Sequence, residues 1–295
     1  MAPSKFIRAV QHNWIHNSPV TVADIRRSHA IYGLPIPPLK GRTRYKASAR
    51  IPDATDIIQI PKEIQESLRA VTLCVDFHFV NGLPVLHTIS RNINYRTVSF
   101  PKNKSRATIM RELRKIFLLY TNRGFEIVEI HADIEFEKCR PFLHPIRLVT
   151  VGKDEHVPEI ERSVQTSKHE NRSVCHAMPY KCIPLIMLRE LITMGNTLLN
   201  AFGNYDTLGH GLSPRNIIDN LPHIDYHHLR YEFGQYVQLH VTRSITNTMH
   251  SRTIGAIVMG PCNICGQYHF LSLETGKSIS GRVVAVLPLT HGVIR

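Results

Sequence analysis

The chain has 295 residues, 43% hydrophobic and 20% charged, which is enough apolar length to bury a core and excludes extended disorder. Lys and Arg number 36 against 23 Asp and Glu, and the resulting +13 charge points to a polyanionic partner, nucleic acid or an anionic membrane face. The membrane reading is weak because no run of 18 apolar residues exists, and the most apolar helical stretch, 183–202, contains Arg189, Glu190 and Asn196.

Residues 1–50 are basic, with short helical stretches and a Pro-rich break, "YGLPIPPLKGRTRYK", that reads as an appendage ending in a linker. Strands are expected at 71–80 and 83–90, joined by the hairpin-type pair Asn81-Gly82, and a third in "YRTVSF". The basic loop "PKNKSR" follows, with Lys102, Lys104 and Arg106 as candidate phosphate contacts. Ile109, Leu113, Ile116, Phe117 and Tyr120 recur at helical spacing over 107–123, with Gly124 in the stop position. "FEIVEIHAD" and "IRLVTVG" read as the fourth and fifth strands, and Pro158 and Pro184 open helices through about 178 and 202. Three hairpin-type strands followed by alternating α and β predict an α/β fold, a mixed five-stranded sheet flanked by helices. Residues 203–235 are loop-rich, with "GLSPRNII" as a helix start. From 236 to 295, short β-type runs separated by Gly and Pro predict a small β-barrel-like region.

Asp76 interrupts an otherwise apolar β pattern, and Asp133 ends the fourth strand. If those strands are neighbours, two carboxylates about 4 Å apart repel by roughly 4 kcal/mol at an effective dielectric near 20. A shared proton, an arginine or a divalent metal must compensate; oxygen-only ligands at an open site favour Mg²⁺ or Mn²⁺. A third acid comes from the 158–178 helix or the loop before it, where Asp154, Glu155, Glu159 and Glu161 are candidates. Ile160, Val164 and Val174 set the buried stripe, which leaves Glu159 on one flank with Ser163 and Glu170. Glu161 lies on the other flank with Gln165, Lys168 and Arg172, the amide and cations that a DNA backbone requires, and is the better choice.

"LCVDFHFVNGLP", "EIHADIEFE" and "HVPEIERSVQTSKHENRSV", followed by "KCIPLIMLRELI", "GLSPRNII", "FGQYVQLH" and "TIGAIVMGP", resemble in order and spacing the integrase of copia-type retrotransposons. The likeness spans about residues 20–295. It implies an RNase H-like catalytic core in which Asp76, Asp133 and Glu161 bind two Mg²⁺ (or Mn²⁺) ions. It also implies 3′-end processing and strand transfer on double-stranded DNA, and a homo-oligomer. The Asp133–Glu161 separation of 28 positions (161 − 133) is shorter than the family's usual one, and Ile134 stands where a small residue commonly follows the second Asp.

The implied organisation is a basic appendage with an eroded zinc module (1–65), the catalytic core (66–202), a linker (203–235) and a β-rich domain (236–295). No zinc is expected: His12 and His16 have the H-x₃-H spacing but no C-x-x-C follows, and two ligands do not close a tetrahedral site. Cys262, Cys265 and His269 make a half-motif, read as a turn with incidental thiols. Met187, Leu191, Met194 and Leu198 form a stripe suited to core or to a subunit interface, with core the default. The N-terminus lacks an apolar h-region and the six cysteines form no disulfide framework, so a nuclear or cytoplasmic location is expected. Two alternatives stay open: an inert DNA-binding remnant, and an RNase H-like nuclease of other specificity.

Overall fold

The structure is a computed structural model. It describes residues 3–12, 14, 19–34, 36–40, 59–152, 157–180, 182–202, 212–222, 224, 229–240, 249–261 and 267–289. In chain order the elements begin with α1 (Pro3–Gln11), α2 (Val22–Tyr32), α3 (Ile36–Lys40), α4 (Lys62–Ser67), β1 (Ala70–Val80), β2 (Leu83–Ser90) and β3 (Arg96–Ser99). Then come α5 (Arg106–Thr121), β4 (Glu126–Asp133), a 3₁₀ helix (Ile134–Phe142), β5 (Arg147–Val151), α6 (Pro158–Ala177), α7 (Leu185–Ala201) and α8 (Pro214–Ile218). Strands β6 (Tyr236–His240), β7 (Thr253–Pro261), β8 (Tyr268–Ser272), β9 (Ser278–Ser280) and β10 (Arg282–Val286) complete the chain. Two compact units result, one of Ala54–Ala177 with Leu188–Asp225 and one of Met1–Asp53, Met178–Met187 and Tyr226–Arg295.

The first unit holds a mixed sheet of order β3-β2-β1-β4-β5. Asn81 and Gly82 take φ of 49° and 78°, the left-handed pair that closes a tight β1–β2 hairpin. β2 and β3 are antiparallel to their neighbours, whereas β1, β4 and β5 run parallel. This is the mixed five-stranded sheet that the strand and helix order predicts, in the RNase H-like arrangement that the resemblance implies. Ser105 caps α5 by accepting the Thr108 N–H, and its apolar stripe buries Ile109, Leu113, Ile116 and Tyr120 against Leu73, Val75, Phe77 and Ile130 on one face of the sheet. Gly124 has φ +80°, two residues past the Asn122 cap. The 3₁₀ helix after Asp133 has no 3.6-residue pattern to announce it; Phe136 and Cys139, three apart, are its buried side.

The opposite face is covered by α6, where Ile160 and Val164 pack on Cys74, Ile89 and Val157. Below them the contact turns polar. His87 Nε2 and Ser163 Oγ are 2.9 Å apart, and Arg96 Nε donates to the same hydroxyl at 3.1 Å. On α7, Leu188 and Ile192 pack on Leu83 and Val85, and the buried face continues through Asn196 and Asn200 rather than through Met194 and Leu198, which are half-buried. Asn196 donates to Ser167 of α6, and Asn200 both accepts from and donates to the Arg96 backbone at 2.8 Å.

In the second unit the expected β-rich C-terminal region is an antiparallel five-stranded sheet of order β10-β6-β7-β8-β9. One face buries Val237, Leu239, Val258 and Phe270, the other Tyr236, Ile257, Met259 and Leu271 together with Leu39 of α3 and Met187. His16, Asp154, Glu155, Cys262 and Cys265 lie outside the described residues. No helix among the described residues is long and apolar enough to cross a membrane.

Asn200→Ala removes both partners of a buried backbone group pair and is expected to cost about 2–3 kcal/mol in urea unfolding. A loss below about 0.5 kcal/mol, the scale of a surface substitution, would show that the clamp on β3 is dispensable.

Candidate active site

Asp76 sits where β1 loses its second neighbour. The parallel register runs Cys74↔His131 and Val75↔Ala132, so one further step along both strands sets Asp76 beside Asp133. Asp76 also pairs with His87 across the hairpin, and His87 bonds Ser163 of α6, which fixes the side on which the Asp76 carboxylate emerges. Asp133 pairs with Val151, whose side chain packs into the α6 cluster, so both acids leave the sheet on the α6 face. Burial, and then the charge of Asp133, push the Asp76 carboxyl up to about 6; Glu135 adds to the rise, while the Phe77 N–H and Lys104 oppose it.

The flanks of α6 separate as its period requires. Glu159 is held by Arg91, with Nε to Oε1 at 2.8 Å. Glu161 is half-buried on the other flank, two turns before Lys168. Lys168 overlies the end of β1: burial and then its charge hold His78 down at about 4. Glu161 therefore rides on the helix that covers the acid pair. Among the described residues, however, no three His, Cys, Asp or Glu side chains come close enough together to hold a metal ion, so the trio is two acids together and a third that does not join them. The pair itself fits a divalent cation in donor chemistry: both ligands are carboxylates, and burial leaves Asp76 short of compensating charge.

The other candidates divide. Gln165 and Arg172 are exposed and Lys168 is half-buried. Lys102 is exposed, but Lys104 is bound to Glu135 at 2.9 and 3.0 Å, and Arg106 lies over the Phe142 ring at 4.4 Å. Sequence reasoning missed Glu135, although its place two residues after Asp133 is a usable signal. It also missed the layer of His87, Ser163 and Arg96, which no sequence period reveals.

No family model matches the chain, and no curated protein matches it. Among solved structures it is similar to the catalytic core domain of BIV integrase, at 12% identity and TM-score 0.37, over 50% of this chain and 92% of that one. It is similar also to the HTLV-2 integrase catalytic core domain in complex with magnesium, at 18% identity and TM-score 0.37, over 51% and 96%. Strand order and direction, rather than these scores, define the fold.

A carboxyl raised from 3.8 in the folded state destabilises the fold when ionised. The cost is absent below about pH 4 and complete above about pH 6. In EDTA, Asp76→Asn should therefore unfold at higher urea than the parent above pH 6, by about 1–2 kcal/mol after allowing for partial exposure, with the difference closing toward pH 4. Equal stability at pH 7.5 would show that the Asp76 charge is compensated.

Proposed function

We propose that this chain is a copia-type retrotransposon integrase, a polynucleotidyl transferase that trims the 3′ ends of double-stranded DNA and joins them to a target as a homo-oligomer. The observation that supports it is the in-register placement of Asp76 beside Asp133 beneath α6. In this reading residues 66–202 carry the chemistry, 1–65 and 236–295 serve DNA and assembly, and Asp76, Asp133 and Glu161 hold two Mg²⁺ or Mn²⁺ ions. Held by those carboxylates, such ions would supply activation of a water or a 3′-hydroxyl and neutralisation of phosphate charge. No side chain forms a covalent bond to DNA; the attacking oxygen makes a bond to phosphorus as the 3′ oxygen leaves. The residues of the chain supply position. Lys168, Arg172 and Gln165 lie along one flank of α6 and lay the backbone over the acids, and Lys102 from the loop before α5 and Arg106 from its first position approach it.

The inert-remnant reading keeps one observation in its favour, that the third carboxylate does not join the pair among the described residues. A DNA-end substrate with Mn²⁺ or Mg²⁺ separates the readings. Trimmed and joined products are expected, with at least a hundredfold loss in Asp76→Asn and in Asp133→Asn, roughly the scale of a removed electrostatic contributor. DNA binding with no product under either ion would leave the remnant, and cleavage of RNA in a hybrid without joining would mark another nuclease.

The flank of α6 has its own test. If Lys168 and Arg172 contact phosphates, their double alanine variant should lower the slope of log affinity against log salt by about 0.9 per contact, with similar weakening across sequences. An unchanged slope in a folded variant would return them to an ordinary solvated face.

A further inference from the structure

We propose that Ser163 is a positioning residue: its hydroxyl, bonded to His87 and Arg96 at once, sets the rotation of α6 and turns the flank of Glu161 and Lys168 toward the acid pair. Ser163 Oγ lies 2.9 Å from His87 Nε2 and accepts from Arg96 Nε at 3.1 Å. A guanidinium only donates, so the hydroxyl keeps its own proton for His87, and one oxygen ties α6 to two strands. Both partners are themselves fixed. His87 is fully buried and stands opposite Asp76 in the β1–β2 pairing. The Arg96 backbone is clamped by Asn200 through two bonds of 2.8 Å, and its Nη1 donates to the Asn94 carbonyl at 3.2 Å.

The apolar contact of α6 with the sheet rests on Ile160 and Val164, only about 40° apart around the helix, which leaves the helix able to roll. Ser167 bonds Asn196 of α7 and Glu159 bonds Arg91 past the end of β2, whereas Ser163 bonds the strands themselves. A residue that only filled this space would be as well served by alanine. The hydroxyl adds direction, because hydrogen bonds weaken steeply as their angle closes. Ser163 and Glu161 stand two positions, or about 200°, apart around the helix, so holding one against β2 and β3 presents the other toward β1. Lys168 is close in phase to Glu161 and shows which way that flank faces. Its charge reaches His78, on the same face of β1 as Asp76. The inference deepens the proposed function and rests on it only for DNA joining, not for the stance of the helix.

The test reads the ring resonances of His78 by NMR, in EDTA and at one fixed pH, in the parent, Lys168→Ala, Ser163→Ala and the double variant. Removing the Lys168 charge should shift the His78 signals in the parent and leave them nearly still in the Ser163→Ala background, where the helix has turned. Ser163→Thr, which keeps a hydroxyl, should keep the full response. If Ser163→Ala does not fold, Arg96→Met removes one of the two bonds and carries the same expectation. With DNA ends and Mn²⁺, joined product should fall on the order of a hundredfold in Ser163→Ala, the scale of a misplacement by about 1 Å, and recover in Ser163→Thr. The proposal is overturned by an undiminished His78 response in folded Ser163→Ala, by no response in the parent, or by a threonine variant that behaves as alanine. Joining that survives intact when the response is lost has the same consequence. A parent that never joins DNA ends but shows the expected responses removes only the catalytic reading, and Ser163 still orients the helix.

Discussion

Two like charges on adjacent parallel strands, half withdrawn from water, are the constraint around which the first unit is built. Other carboxylates of the unit receive cations: Glu159 has Arg91, Glu135 has Lys104, Glu137 has Arg140, and Glu112 has both Arg111 and Lys115. Asp76 and Asp133 receive no ion-pair partner among the described residues, and Lys104, which is near enough to ease Asp76, spends its contact on Glu135. A surface with thirteen excess positive charges does not lack for lysines. Asp76 and Asp133 stand together without that compensation at the edge where β1 emerges from the sheet.

The helix above the pair is positioned by directional bonds more than by oil. Its apolar contact is short, Ile160 and Val164 on Cys74 and Ile89, and its lower half rests on Ser163, Ser167 and Asn171. Ser163 meets His87 and Arg96, and Ser167 meets Asn196 and Asn171. Gly195 lets α7 come close: a Cβ there would stand 2.6 Å from Asn171 Oδ1. Hydrogen bonds of this kind lose strength steeply with angle, so they fix the rotation of α6 about its axis, which apolar packing alone leaves looser. That rotation decides which flank, the one with Glu159 or the one with Glu161, faces the acids.

Much of this was legible in the chain because it depends on local period. Asn81-Gly82 closes the hairpin, alternation gives β1 its two faces, and the stripe Ile109, Leu113, Ile116 and Tyr120 places α5. The separation of Glu159 from Glu161 followed from helical phase and a fixed apolar stripe. What was not legible depends on partners distant in sequence. The buried side of α7 includes Asn196 and Asn200, polar residues whose burial makes sense only once Ser167 and the Arg96 backbone are opposite them. Lys104 looked like a phosphate contact because Glu135, 31 positions away, was not yet its neighbour.

A third carboxylate drawn onto the pair would meet the same charge that raises the Asp76 carboxyl. Drawing a third carboxylate within about 4 Å of two others adds roughly 4 kcal/mol of repulsion for each ionised neighbour at an effective dielectric near 20. Turning a glutamate side chain away costs far less, on the order of 1 kcal/mol even off its preferred rotamers. Asp76 and Asp133 are set together by strand register, whereas Glu161 stands on a flank of α6 outside that register. Register admits no such escape. Asp76 and Asp133 cannot separate without unpairing β1 from β4, so the cost of their proximity remains in the fold, and a divalent cation at that edge would return it as binding free energy.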